Sequence, residues 1–185
     1  MNYLEPLINS TTLLNKTLKK QINYIAPAYL PNIGEIIIIK KPHEAPMKIL
    51  MSAHKCILVI KQHCSPYSME VSSKILATSE LLPMVIKYET AFLRVKIRNA
   101  IIENDVTYAF VNLTHIKQLE FKDSSHTTIV FKDNSKLCTL QTPSTIKKKI
   151  TDCMQVYSDL LLKEPHNYRS LKKIITLHDF KFKSN

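Results

Sequence analysis

The clearest periodic signal in the chain is the strict alternation of Phe92–Arg98. Leu93, Val95 and Ile97 face one way, and Arg94, Lys96 and Arg98 face the other. A strand turns successive side chains to opposite faces, so this segment predicts a strand with an apolar row behind a cationic one. Strand-like runs surround it: Met84–Tyr88, Val106–Asn112, Ile116–Phe121, Thr127–Lys132 and Lys136–Leu140. Their links are short, and Lys132-Asp133-Asn134-Ser135 reads as a hairpin turn with Asn standing where Gly is commoner. The whole block predicts an antiparallel meander, with Asn99–Asp105 as its one longer and more polar connection.

Beyond the meander the period changes to that of a helix. Ile146, Ile150, Cys153, Tyr157, Leu160 and Leu161 form one apolar stripe running to Lys163, with Thr142 as N-cap, Pro143 at the first helical position and Pro165 as the stop. Upstream, Asn9–Tyr24 predicts a short helix from Leu13, Leu14, Leu18 and Ile22, with Pro27 and Pro31 ending it. Glu35–Lys41 predicts a strand, since four consecutive isoleucines are β-branched and lie between Gly34 and Pro42; Met47–Met51 predicts a shorter one. Lys55–Ser65 fits two patterns, a buried strand through Cys56–Ile60 or a helix through Ile57, Ile60 and Cys64. Tyr67–Leu82 predicts a helix stopped by Pro83. The expected class is α+β, an antiparallel β-sheet meander flanked by helices, with a long C-terminal amphipathic helix. Residues 1–30 are expected as a helical or irregular extension, 31–164 as a single domain, and 165–185 as a basic tail with Arg169, Lys172, Lys173, Lys181 and Lys183.

Composition narrows the function. A 185-residue chain that is 45% hydrophobic can bury a core, and a net charge of +11 draws nucleic acid, acidic protein or anionic lipid. Only three of the 26 cations are arginines, and two of them are Arg94 and Arg98. The many lysines suit phosphate contacts better than bidentate base reading. The single glycine, Gly34, excludes Walker, dinucleotide and nucleophile-elbow loops, each of which needs several. With no H-E-x-x-H and no carboxylate pair in an apolar setting, an enzyme is not expected. Met1–Lys20 lacks the apolar core of a secretion signal, and no run approaches the ~20 apolar residues that span a bilayer, so a cytoplasmic protein without a membrane partner is expected. Cys56, Cys64, Cys138 and Cys153 are then expected as reduced thiols. The cluster of His54, Cys56, His63 and Cys64 matches no zinc spacing, so neither metal nor cofactor is expected.

The candidate ligand is therefore double-stranded DNA. Arg94, Lys96 and Arg98 would line a basic sheet face, with Asn112 and His115 as polar readers beside it. Arginine suits the narrow minor groove of A·T-rich DNA. Lys147, Lys148 and Lys149 occupy first turns of the last helix, where the dipole disfavours cations by a few tenths of a kcal/mol each, which points to phosphate nearby. The competing reading of each feature is structural: a solvated charged row, and a histidine satisfied at a strand end.

The segment Cys64–Leu162 also resembles the ComK family, the competence transcription factors of Gram-positive bacteria. Ser65 and Tyr67 stand where that family has Ser-Ser-Tyr-x-Gly-Arg-Lys, although Met69 and Glu70 replace its Gly-Arg. "LLPMVIKYETAFL" (Leu81–Leu93) resembles its strand entry. "YAFVNLTHIKQLEF" (Tyr108–Phe121) resembles its Trp-Ile-x-x-x-His-Ile segment, with Phe110 in the tryptophan's place and His115-Ile116 matching. "TTIVFKDNSKLCTLQTPSTI" (Thr127–Ile146) resembles its hairpin and following helix. Lys96 and its neighbours replace a Phe-Pro-Thr segment. The resemblance implies sequence-specific binding to AT-rich promoter DNA, transcription activation for competence as a homo-oligomer, and an adaptor or protease partner. "FVNLTHI" is also similar to the Val-Asn-Leu-x-x-Ile segment of LytTR DNA-binding domains, a runner-up. A non-enzymatic protein-interaction module is the reading from a different class.

Overall fold

The computed structural model describes residues 10–18, 21–64, 84–86, 90–121, 125–162 and 181–184. The helix expected over Tyr67–Leu82, and Arg169, Lys172 and Lys173 of the basic tail, lie outside the described residues. Helix α1 (Ser10–Leu18) precedes a hairpin of β1 (Tyr24–Leu30) and β2 (Gly34–Lys40). The turn between them places Asn32 at φ 63° and Gly34 at φ 95°, a region that glycine enters without strain and asparagine tolerates. Strand β3 (Met47–Ile49) then pairs with β2, and α2 (Ala53–His63) follows, its N-cap Ser52 accepting the Lys55 N–H through the side chain. Strands β4 (Met84–Ile86), β5 (Thr90–Lys96) and β6 (Tyr108–Asn112) complete a six-stranded antiparallel sheet in the order β3-β2-β1-β6-β5-β4. A 3-10 turn (Leu113–His115) leads into β7 (Ile116–Phe121), β8 (Thr127–Phe131) and β9 (Lys136–Thr139), which form a second antiparallel sheet. Helix α3 (Pro143–Leu162) follows, and β10 (Lys181–Ser184) joins the second sheet in parallel beside β7.

The molecule is thus α+β with antiparallel sheets and a long helix near the C-terminus, as the hydrophobic pattern indicated. The strand order through β4–β9 keeps its antiparallel sense, but the meander is divided between two sheets at the 3-10 turn. The division has a local cause: the Asn112 side chain accepts the Thr114 N–H at 3.1 Å and its hydroxyl at 2.9 Å, bending the chain out of β6. The ambiguous segment after Lys55 is a helix, since Ala53, Cys56, Val59 and Ile60 are buried at helical spacing.

Two features extend the folded unit past its expected limits. Strand β1 lies between β2 and β6, inside the first sheet, and α1 buries Leu14 and Leu18, so the unit begins ahead of residue 31. Pro27 masks this in the sequence, because proline donates no ladder hydrogen bond; the β1–β6 pairing is confined to Tyr24 and Ile25, and Pro27 lies beyond it. Similarly, Lys181–Ser184 falls in the expected tail yet adds a strand.

The core has two parts, one on each face of the first sheet. On one face Leu93, Val95, Val111 and Leu113 meet Leu119, Ile129 and Phe131 of the second sheet and Ile146, Ile150, Cys153, Val156 and Tyr157 of α3. On the other, Phe92, Phe110, Ile25, Ile37 and Ile39 meet Leu14 and Leu18 of α1 and Cys56, Val59 and Ile60 of α2. Each fully buried aliphatic contributes roughly 1.5–3 kcal/mol. The row that alternates with Leu93 and Val95 therefore begins in a core, at Phe92, before it reaches Arg94.

Candidate nucleic-acid interface

The register of β5 on β6 sets Arg94 opposite Phe110 and Lys96 opposite Tyr108, so these four share a face. Arg94 is half-buried, and its guanidinium lies 5.5 Å from the centre of the Phe110 ring. Arg98 is more firmly held. Its two terminal nitrogens grip the Asp105 carboxylate, one to Oδ1 at 2.6 Å and the other to Oδ2, and Nη2 also donates to the Val106 C=O at 3.2 Å. The guanidinium stands 5.2 Å from the centre of the Tyr29 ring. The Asp105 side chain is 1% exposed and also accepts the Ile101 N–H. The hydrogen bond from Arg98 holds this carboxyl below the usual carboxylate range against the opposing effect of burial. Arg98 is thus a clamp on the loop 99–105.

Beyond β4, the outer edge of β5 is closed by the segment that joins β9 to α3. Leu140 N–H donates to the Lys96 C=O at 2.7 Å, and the Lys96 N–H donates to Gln141 Oε1 at 3.0 Å. Lys149 Nζ completes the closure by donating to the Arg94 C=O at 2.7 Å, 5.4 Å from the centre of the Tyr108 ring. An open strand edge is a template for unwanted pairing, and these contacts cover it. Burial, and then the nearby Arg94 charge, push the Lys149 pKa down to about 8. Because the folded state releases this proton more readily than the unfolded chain, stability contributed at Lys149 rises with pH between about 8 and the ordinary lysine value near 10.4. Thermal unfolding of wild type and Lys149→Met across that window is expected to show wild type gaining relative to the variant. Parallel curves would mean that Lys149 is not desolvated.

The three helix lysines therefore separate. Lys147 and Lys148 are exposed on α3, with Lys147 Nζ 5.5 Å from the centre of the Phe121 ring, while Lys149 turns in towards β5. Asn112 is 1% exposed, donating to the Ile22 C=O at 3.0 Å, so its amide is used by the bend.

His115 sits at the junction of the two sheets in a polar network that the sequence did not announce. Its Nδ1 meets Asn23 Oδ1 at 2.9 Å, Asn23 Nδ2 donates to Ser135 Oγ at 3.0 Å, and Ser135 Oγ donates to Asp133 Oδ1 at 2.6 Å. With its Nδ2 donating to Ser135, Asn23 accepts through Oδ1, which assigns the His115 proton to Nδ1. Asp133, its side chain 3% exposed, also accepts the Ser135 and His43 N–H groups and pairs with Lys40 at 3.6 Å. Burial alone would raise this carboxyl, but the bonds from Ser135 and His43 and the Lys40 charge outweigh it and hold it far below the usual range. Asp133 followed two positions later by Ser135 is a turn signature readable in the sequence; Lys40 and Asn23 are brought to it only by the fold.

Structure thus joins Lys149 to Arg94, and it sets Asn112 and His115 at the sheet junction and Lys147 and Lys148 on α3. The cysteine–histidine cluster is also occupied: His63 Nε2 meets Asn15 Oδ1 at 2.7 Å and His54 Nε2 meets the Asn104 C=O at 3.2 Å. Burial pushes the Cys56 thiol up to about 12 and the Cys64 thiol up to about 11, which keeps both protonated. Among the described residues no helix is long and apolar enough to cross a membrane. Comparison with protein-family models, with curated proteins and with solved structures finds no match.

Proposed function

We propose that the protein is a non-enzymatic DNA-binding transcription regulator acting in the cytoplasm as a homo-oligomer, with AT-rich duplex as its ligand. The observation that carries this reading is the exposed pair Lys147 and Lys148, in a helix whose first turn has no acidic residue and in a chain of net charge +11. Cations placed against the helix dipole are favoured by an anionic partner. The resemblance to the ComK family supports activation of competence promoters as the specific role. Arg94 and Lys96 would add to the interface from β5, whereas Arg98, Asn112 and Lys149 support the surface by holding loop, bend and strand edge.

Retardation of an AT-rich promoter fragment tests the reading. Binding is expected at ~50 mM salt and should weaken steeply as salt rises. The folded variant Lys147→Ala/Lys148→Ala is expected to reduce the slope of log affinity against log salt by about two. An unchanged slope would remove α3 from the interface, and absence of retardation by wild type would sink the reading itself.

A further inference from the structure

The loop 99–105 between β5 and β6 is ordered by more than its exposure calls for. A buried carboxylate, Asp105, takes both guanidinium nitrogens of Arg98 and the Ile101 N–H, and its own N–H donates to the Ile102 C=O at 3.3 Å. Asn104 turns the chain at φ 58° and offers its C=O to His54 Nε2, which fastens the loop to α2. A desolvated ion pair is a costly device for shaping a short loop. What the shaped loop displays is Ile101 at 62% and Ile102 at 58% exposure. Leu58, 61% exposed, lies one helical turn beyond His54 on the same side of α2. Beside Leu58, α2 presents exposed Lys55 and Lys61 and has no aspartate or glutamate along its length, while the loop itself carries one exposed carboxylate, Glu103.

Single exposed aliphatics are ordinary. Two consecutive ones on a clamped turn, with a third on the helix to which that turn is fastened, mark an interaction site. A second copy of the chain is a poor occupant, because three side chains offer a few hundred Å² against the roughly 1,000 Å² of a stable protein interface. Duplex DNA would meet the lysines but offers isoleucine nothing along its phosphates. The interface of an anionic bilayer satisfies both halves, since its acyl boundary envelops convex apolar prongs and its headgroups take the lysines.

We infer that Leu58, Ile101 and Ile102 form a docking site for an anionic lipid surface, inserted at the headgroup boundary while Lys55 and Lys61 contact the headgroups. The contact is peripheral, and it replaces the expectation of no membrane partner. It is separate from the α3 lysines of the nucleic-acid reading, because α2 and α3 pack on opposite faces of the first sheet, whereas Arg94 and Lys96 of that reading lie on the α2 face.

Sedimentation of the full chain with vesicles tests the site, using phosphatidylcholine alone and phosphatidylcholine with about one-third phosphatidylserine. Wild type is expected to pellet with the anionic vesicles and far less with the neutral ones. Ile101→Asp/Ile102→Asp changes only exposed positions, so its thermal midpoint should match wild type while vesicle affinity falls about tenfold or more. Lys55→Ala/Lys61→Ala should weaken binding several-fold and flatten its salt dependence. The proposal is overturned if wild type does not pellet, or if the aspartate variant pellets undiminished, since adsorption would then be electrostatic only. It is equally overturned if wild type self-associates through this patch, or if the aspartate variant loses duplex binding while vesicles are ignored.

Discussion

Asp133→Ala is expected to lower the unfolding free energy by about 3–5 kcal/mol, a large share of the roughly 5–15 kcal/mol available to a typical domain. The Asp133 side chain is 3% exposed and ties together three stretches: Lys40 at the end of β2, His43 in the loop before β3, and Ser135 in the β8–β9 turn. Alanine leaves Lys40, whose side chain is 13% exposed, without its ion-pair partner and removes the acceptor of the His43 and Ser135 N–H groups. Denaturant unfolding at neutral pH, followed by circular dichroism, measures the loss. Asp133→Asn keeps the shape and removes the charge, so it isolates the pH dependence. The folded carboxyl titrates below its unfolded value, which means the stabilisation is complete above the ordinary aspartate range near 3.9. It is lost as pH falls from there towards the depressed folded value. Wild type and Asp133→Asn should therefore differ most near neutral pH and converge in acid. Asp105, lowered in the same direction, adds to the acid sensitivity of both proteins. An acid limb identical in the two proteins, at constant separation, would refute the assignment.

Arg98→Ala should cost a comparable amount, about 3–5 kcal/mol, because it leaves the Asp105 carboxylate buried and unpaired. Arg98→Lys should recover only part of the loss, since an ammonium cannot reproduce the two parallel bonds made to Oδ1 and Oδ2. This turns Arg94 and Arg98, the two arginines of the alternating row, into a discriminating pair. Arg94→Ala should leave most of the stability intact and lower duplex affinity if β5 contributes to the interface. Arg98→Ala should shift the denaturation midpoint strongly while duplex affinity per folded molecule stays near wild type. Equal stability of wild type and Arg98→Ala would return Arg98 to the surface row.

Much of the architecture was legible because periodicity reports which side of an element meets an apolar environment. Leu93 and Val95 on β5, and Ile146, Ile150, Cys153 and Tyr157 on α3, are buried as their spacing indicated. Periodicity does not report what covers the other side. The face carrying Arg94 also carries Phe92 and Phe110, and α1 and α2 close over those rings. Strand β1 was hidden by Pro27, whose missing N–H argues against a central strand unless the pairing with β6 is known to stop short of it.

The candidate site divides in the same way. Exposed Lys147 and Lys148 follow from residue type and helix position alone. Lys149, one residue on, is turned inward by the helix and bonds to a strand edge 55 positions away in sequence. Net charge, the single glycine, the α+β pattern and the amphipathic last helix were decided by the sequence alone, since each depends on composition or on neighbours within a few residues. The Arg98–Asp105 clamp under two exposed isoleucines and the Asp133 network were decided by the tertiary structure. Each of these depends on burial, which turns an ordinary surface charge into a structural bond, and burial is a property of the assembled fold.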